Sequence, residues 1–290
     1  HADIIQLPDG RWYMVSLGKR NDLDGDANMG RETYLIPIKW EPTTVKWEQV
    51  SETKWEPLKY LFPVAAPLSG KVERSAPLPF HDKPQYVNNT FIDDFDYENL
   101  DLDWTFIRVP QQNTFSLYDK PGLLRLFSKP NTIENRKRFS MIGFRQRESD
   151  FDYEVKMEFL PSDNRVESGI VQYQKEWKYL TNTVYRVGKK FYLEQKLKEK
   201  NKKVVSLKKI MLKNYEGSII FKVNSKKDKY DFYYSLDNGK NFDYFATLDA
   251  VKLLDRNYTG ALLGIFSSSN GMKSNDYADY DWVRYKDYLR

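Results

Sequence analysis

FDYEVKMEF (151–159), SGIVQYQ (168–174), NTVYRV (182–187) and FYLEQKL (191–197) follow one another at short intervals in this chain of 290 residues. In each, apolar residues alternate with polar ones, so an extended backbone would carry one greasy and one wet face. Such a period of two predicts antiparallel strands with one buried side. The pattern extends backwards through FSLY (115–118), GLLRLF (122–127) and FSMIGFRQ (139–146). It extends forwards through SIIFKV (218–223), YDFYYSL (230–236), FDYFATL (242–248), ALLGIF (261–266) and ADYDWVRY (278–285). Turn signals recur about every 8–12 residues, and no apolar stripe of helical period lasts four turns. Residues 91–290 are therefore expected to form an all-β, antiparallel sandwich, long enough to bury a sizeable core.

Composition supports burial and removes whole classes of chemistry. There are 17 Phe, 21 Tyr and 7 Trp, together 45 rings, which a disordered chain would lack. No cysteine is present, so disulfides, thiolate zinc sites and cysteine nucleophiles are excluded. Only His1 and His81 are histidines, which leaves almost nothing for a Ser-His-Asp triad or a histidine metal cluster. No stretch reaches the roughly 18–20 apolar residues of a membrane span. Chemistry in this chain would fall to carboxylates.

The first 90 residues read differently. DIIQL (3–7), RWYMVSL (11–17) and ETYLIPIKW (32–40) are strand candidates, and Pro8-Asp9-Gly10 supplies the first turn. A polar loop, residues 19–30, separates the second from the third. Alone, this meander is too small for a core. Leu7, Trp12, Met14, Leu35 and Ile38 are expected to face water unless something covers them. Six of the 13 prolines fall between Pro57 and Pro84. Proline removes backbone donors and fixes φ, so 57–90 is read as an extended connector or a linker that packs. The organisation expected is 1–56, connector 57–90, and sandwich 91–290. The chain opens in strand-like residues without an initiator Met or a basic and apolar leader, and is expected to be a piece of something longer.

Net charge is 46 − 41 = +5. Residues 189–229 carry 14 Lys against Glu194, Glu199, Glu216 and Asp228, a local +10. Lysines on outer faces and at sheet edges would explain this, by blocking edge pairing. A polyanion surface is the rival reading, but the segment lacks Arg, the preferred reader of phosphates. No nucleic-acid partner is expected.

Several strings resemble glycoside hydrolase family 43, in its β-xylosidase and α-arabinofuranosidase branch. HADIIQLPDGRWYMVSLGKR (1–20) and GRETYLIPIKWE (30–41) are similar to the last blade of its five-bladed β-propeller. FIDDFDYENLDLDW (91–104), FRQRESDFDYEVKMEF (144–159), SGIVQYQKEWKYL (168–180), YYSLDNGKNF (233–242), TGALLGIFSSSNG (259–271) and ADYDWVRY resemble its C-terminal sandwich. The resemblance implies a concanavalin-like sandwich, or jelly roll, preceded by part of a propeller. It implies inverting hydrolysis of terminal β-xylosyl or α-arabinofuranosyl residues, by an acid and a base roughly 6.5–9.5 Å apart. The family's acid and base precede the string at His1, so no catalytic residue is assigned and the chain alone is expected to be inactive. An accessory carbohydrate-binding module without catalysis is the alternative.

The resemblance also implies binding residues. Arg31 matches an arginine that reaches the substrate's hydroxyls; a salt bridge on the strand at 32–38 is the other reading. Tyr258 and Phe266, on either side of TGALLGI, are candidates for an aromatic placed over the propeller's mouth, against plain core packing. His1 matches a histidine near a central propeller ion, or else is a terminal residue without a partner. No cofactor is required; calcium is the metal that would suit Asp94 and Asp281, given that first and last sandwich strands often pair. Against this, Asp93, Asp94, Asp96, Asp279 and Asp281 would alternate outward into solvent. Trp177, Tyr179, Trp104 and Tyr244 could stack on sugars or fill the core. Expected partners are xylo- or arabino-oligosaccharides, the missing propeller part, or another copy of the chain. A periplasmic or extracellular location is favoured over the cytoplasm.

Overall fold

A computed structural model describes residues 1–20, 28–73, 79–80, 89–226, 228–253, 255 and 258–288, without the side chains of 43–47 and 57–59. His81 lies outside the described residues. The strands in chain order are β1 (Ala2–Gln6), β2 (Trp12–Gly18), β3 (Glu32–Ser51), β4 (Lys54–Ala65), β5 (Thr90–Asp93), β6 (Trp104–Thr105) and β7 (Phe115–Ser116). Then come β8 (Leu124–Phe127), β9 (Ser140–Arg145), β10 (Phe151–Glu158), β11 (Glu167–Lys175), β12 (Lys178–Val187) and β13 (Lys190–Lys198). The last are β14 (Val205–Met211), β15 (Ser218–Lys226), β16 (Lys229–Ser235), β17 (Asp243–Asp249), β18 (Leu262–Ser268) and β19 (Tyr277–Asp287). Helix is confined to two single 3-10 turns, Ile133–Asn135 and Ala250–Lys252, among the described residues. None is long and apolar enough to cross a membrane.

The chain divides into two compact units, 1–19 with 31–87 and 20–30 with 88–290. The first is a four-stranded antiparallel sheet in sequential order, β1-β2-β3-β4, the arrangement of one propeller blade. Register sets Trp12 opposite Ile38 and Met14 opposite Ile36. These side chains cover one another, and Trp12 meets the Trp40 ring edge-on at 5.3 Å. Of the five residues expected to face water, Leu35 does; Leu7 and Ile38 are buried, and Trp12 and Met14 half-buried. Residues 57–65, expected as connector, belong instead to β4. That strand is the edge of its sheet, where the N–H that proline lacks is not required by a further neighbour.

The second unit is the sandwich. One sheet runs β17-β16-β15-β10-β19-β8-β7, with β5 also pairing β19; the other runs β14-β13-β12-β11-β18-β9-β6. All pairings between the described strands of both sheets are antiparallel, and one isolated parallel bridge joins Lys129 to Ser268. On β10, Phe151, Tyr153, Val155 and Met157 point inward while Asp152, Glu154, Lys156 and Glu158 point outward. They face Ile170, Leu180, Val184, Leu193, Leu263 and Ile265 of the other sheet in the main core. β11 is buried on both sides. Its odd residues Val171 and Tyr173 join a second apolar cluster with Ile133, Phe139, Met141, Tyr179, Leu262 and Phe266. Ile133 and Phe139 belong to the segment before β9, which thus covers the outer face of this sheet.

The lysine-rich stretch becomes β13, the edge strand β14, and β15. Several of its ammonium groups meet acids from elsewhere: Lys196 with Glu167 at 2.7 Å, Lys198 with Glu134 at 2.7 Å, and Lys222 with Glu154 at 2.8 Å. The local +10 is therefore partly neutralised in space rather than in sequence.

Candidate functional site

The polar loop at 19–30 is the part of the chain whose ends anchor on the sandwich. Arg20 Nη1 donates to both carboxylate oxygens of Glu148, at 2.7 and 2.8 Å. At the other end, Asn28 Nδ2 donates to the buried Tyr230 hydroxyl at 2.9 Å, and Arg145 donates to the Met29 carbonyl at 2.9 Å. Ala261 N–H donates to the Asn28 carbonyl at 2.6 Å. Gly30 then pairs with Thr259 as an antiparallel bridge.

Two glycines make that approach feasible. Gly30 has φ +70°, and a Cβ there would lie 2.4 Å from Gly260 N and 2.5 Å from the Thr259 carbonyl carbon. A Cβ on Gly260 would lie 2.6 Å from the Met29 carbonyl oxygen. Backbone presses on backbone here, with Asn28 and Met29 almost wholly buried.

Tyr258, the residue before the bridge, is 65 % exposed. Arg31, the residue after Gly30, is also exposed. Tyr258 is thus an accessible ring next to the Gly30–Thr259 bridge. Phe266 is not. It lies within β18, is 3 % exposed and packs in the second cluster. Leu262 and Phe266, four apart on one strand, share a face, and that face is covered. The Phe266 ring has no side free for a sugar, which corrects the expectation that it could cap a cleft.

First and last sandwich strands do pair: Asp93 stands opposite Val283. The carboxylates nevertheless have protein partners. Asp93 accepts from Trp104 Nε1 at 2.6 Å and Phe95 N–H at 2.9 Å. Asp279 holds Arg125 by two bonds of 2.8 and 2.9 Å. Asp281 pairs with Lys156 at 2.7 Å, and Asp94 is exposed beyond β5. Among the described residues no three His, Cys, Asp or Glu side chains gather as a metal would need. His1 is exposed ahead of β1. Of the four proposed platforms, Trp104 and Tyr179 are inside, Trp177 is half-buried, and Tyr244 is exposed.

One buried ion pair stands apart. Glu167 accepts from Lys196 at 2.7 Å, Thr183 at 2.7 Å and Asn270 at 3.1 Å. Burial by itself would raise this carboxyl; Lys196, Thr183 and Asn270 outweigh it and hold it below the ordinary glutamate value. With every oxygen engaged, Glu167 is a tie between β11, β12 and β13, not a proton donor.

Sequence reasoning missed Asn28, Met29 and the Gly30–Gly260 apposition. The signal present was a pair of glycines in two separate quoted strings, with nothing to relate them.

The two stacked antiparallel sheets define a concanavalin-type sandwich. Residues 92–286 match the family described as the beta xylosidase C-terminal concanavalin A-like domain. The chain belongs to that family, within glycoside hydrolase family 43. It is 28 % identical over 298 aligned positions to the non-reducing end α-L-arabinofuranosidase BoGH43B of Bacteroides ovatus, covering 99 % of this chain and 50 % of that protein. It is 27 % identical to a xylosidase/arabinosidase of Butyrivibrio fibrisolvens, covering 97 % and 51 %. The crystal structure of the family 43 protein BlXynB from Bacillus licheniformis superposes with a TM-score of 0.80 at 27 % identity, over 99 % of this chain and 53 % of that one. The chain spans about half the length of these relatives.

Proposed function

We propose that this chain is the C-terminal half of a family 43 glycosidase that releases terminal β-xylosyl or α-L-arabinofuranosyl residues from plant oligosaccharides. The observation that carries the reading is the interlock of residues 28–30 with 259–261, beside which the Tyr258 ring is exposed. In this reading Tyr258 offers its face to a sugar ring, and Arg31 offers a planar guanidinium to vicinal hydroxyls. Strands β1–β4, residues 2–65, supply the last blade, with His1 toward a calcium ion on the propeller axis. Proton transfer belongs to an acid and a base in residues preceding His1, and the enzyme is exported.

Aryl β-D-xyloside and aryl α-L-arabinofuranoside test this directly. The 290-residue chain is expected to release no phenol from either, whereas a polypeptide extended by the coding sequence upstream of His1 is expected to do so. Turnover by the shorter chain that survives re-purification would overturn the assignment.

A further inference from the structure

Beside the β7–β8 hairpin lies a cleft of about 840 Å³, within the size range of small-molecule sites. Tyr118 stands at its side, 71 % exposed. The ring is nevertheless fixed. Its hydroxyl donates to the Glu98 carbonyl at 3.0 Å, and its N–H donates to Ser116 Oγ at 3.2 Å. An exposed aromatic tied at both ends presents a flat face without further loss of rotamer freedom on binding.

Three amides line the same cleft: Asn99, Asn113 and Asn275. All three are exposed, and their side chains make no hydrogen bond among the described residues. Each carries two donors and an acceptor, which suits adjacent hydroxyls that both give and take protons. The backbone of Asn113 sits at φ +59°, held by a turn rather than by its side chain.

Charge narrows the ligand further. Glu98 and Asp119 face one ammonium, Lys129. A neighbouring cleft of about 490 Å³ is lined by Glu158 and Asp279, which pair with Lys120 and Arg125, and by Glu216 and Asp276. Consecutive residues, Asp119 with Lys120 and Asn275 with Asp276, line the two clefts in turn. Such a net-negative surface repels uronates and phosphates and leaves neutral ligands unaffected.

We propose that the Tyr118 cleft binds a neutral oligosaccharide, by stacking a sugar ring on Tyr118 and pairing its hydroxyls with the three amides. This does not rest on the reading of Tyr258 and Arg31 above.

Titration calorimetry of the full chain with xylohexaose, and with hexagalacturonate as the charged counterpart, tests it. Xylohexaose is expected to bind and hexagalacturonate not. Tyr118→Ala is expected to weaken binding tenfold or more, and Asn275→Ala at least threefold. Both side chains are exposed, so far-UV circular dichroism should be unchanged. Tyr60→Ala, an exposed ring on β4 that does not line the cleft, is expected to leave this affinity as it is. No binding by the unaltered chain, tighter binding of hexagalacturonate, or a loss for Tyr60→Ala as large as that for Tyr118→Ala would each overturn the proposal.

Discussion

Replacing Gly30 by alanine probes the interlock between residues 28–30 and 259–261. Two costs add. A non-glycine residue in the left-handed region costs about 1–2 kcal/mol. The added Cβ would also lie 2.4 Å from Gly260 N, so the segments must part by several tenths of an ångström. Parting threatens the Ala261-to-Asn28 hydrogen bond, about 1 kcal/mol, the Arg145-to-Met29 bond, about 2 kcal/mol, and part of the Met29 burial, about 2 kcal/mol. Gly30→Ala is therefore expected to cost about 2–5 kcal/mol. Gly188 supplies the control, with φ +61° and nothing within 4 Å of a Cβ. Gly188→Ala should show the backbone cost alone, about 1 kcal/mol. At about 2–4 °C per kcal/mol for a unit of this size, the Tm of Gly30→Ala should fall well below that of Gly188→Ala. Gly260→Ala lacks a positive φ and should show the steric part alone. Near-UV circular dichroism follows unfolding, and hydrogen exchange at Ala261 N–H reports the local joint. Equal Tm losses for Gly30→Ala and Gly188→Ala, with the Ala261 amide equally protected, would refute the reasoning.

Other changes test the interior of the sandwich. Lys196→Met removes the counter-charge of the buried Glu167 and should cost about 3 kcal/mol in chemical denaturation, with part recovered in Glu167→Gln/Lys196→Met. Glu167 is held below its ordinary value of 4.5, so the unfolded chain binds its proton first. Its contribution is then present above about pH 4.5 and lost as pH falls through the lower folded value, and an acid titration of stability in Glu167→Gln should be flatter there. Trp104→Phe strips a 2.6 Å donor from the buried Asp93 and is expected to cost about 2 kcal/mol. Both side-chain polar atoms of Gln172 are buried without a hydrogen-bond partner among the described residues; Gln172→Met should leave the denaturation midpoint unchanged or raise it, and a loss above about 1 kcal/mol would contradict this.

The sandwich was legible because β10 and β13 each keep one face in the core, so burial wrote itself into alternation. β14 escaped notice because VSLKKIM is an exposed edge strand, where no core imposes a pattern. β5 and β6 are too short, at 4 and 2 residues, to show one. Residues 57–65 were misread because proline density was weighed without knowing that the strand would be an edge. Tyr258 and Phe266 have similar rings eight positions apart, yet one precedes a bridge and the other sits on a covered strand face. That difference depends on the segment at 133–139, which sequence does not place over β18. Gly30 and Gly260 are 230 positions apart, and only folding makes them neighbours.

The chain enters the sandwich unit at Arg20, leaves it at Gly30, and returns near residue 88. The sandwich is thus not a bead that recombination could lift out with a single cut. A gene fragment beginning at residue 88 would encode both sheets but discard the plug that engages Tyr230, Arg145 and Gly260. Inheritance of this sandwich is accordingly coupled to a short piece of sequence embedded in its neighbour. Lineages that shuffle domains would have to carry that piece along or replace it.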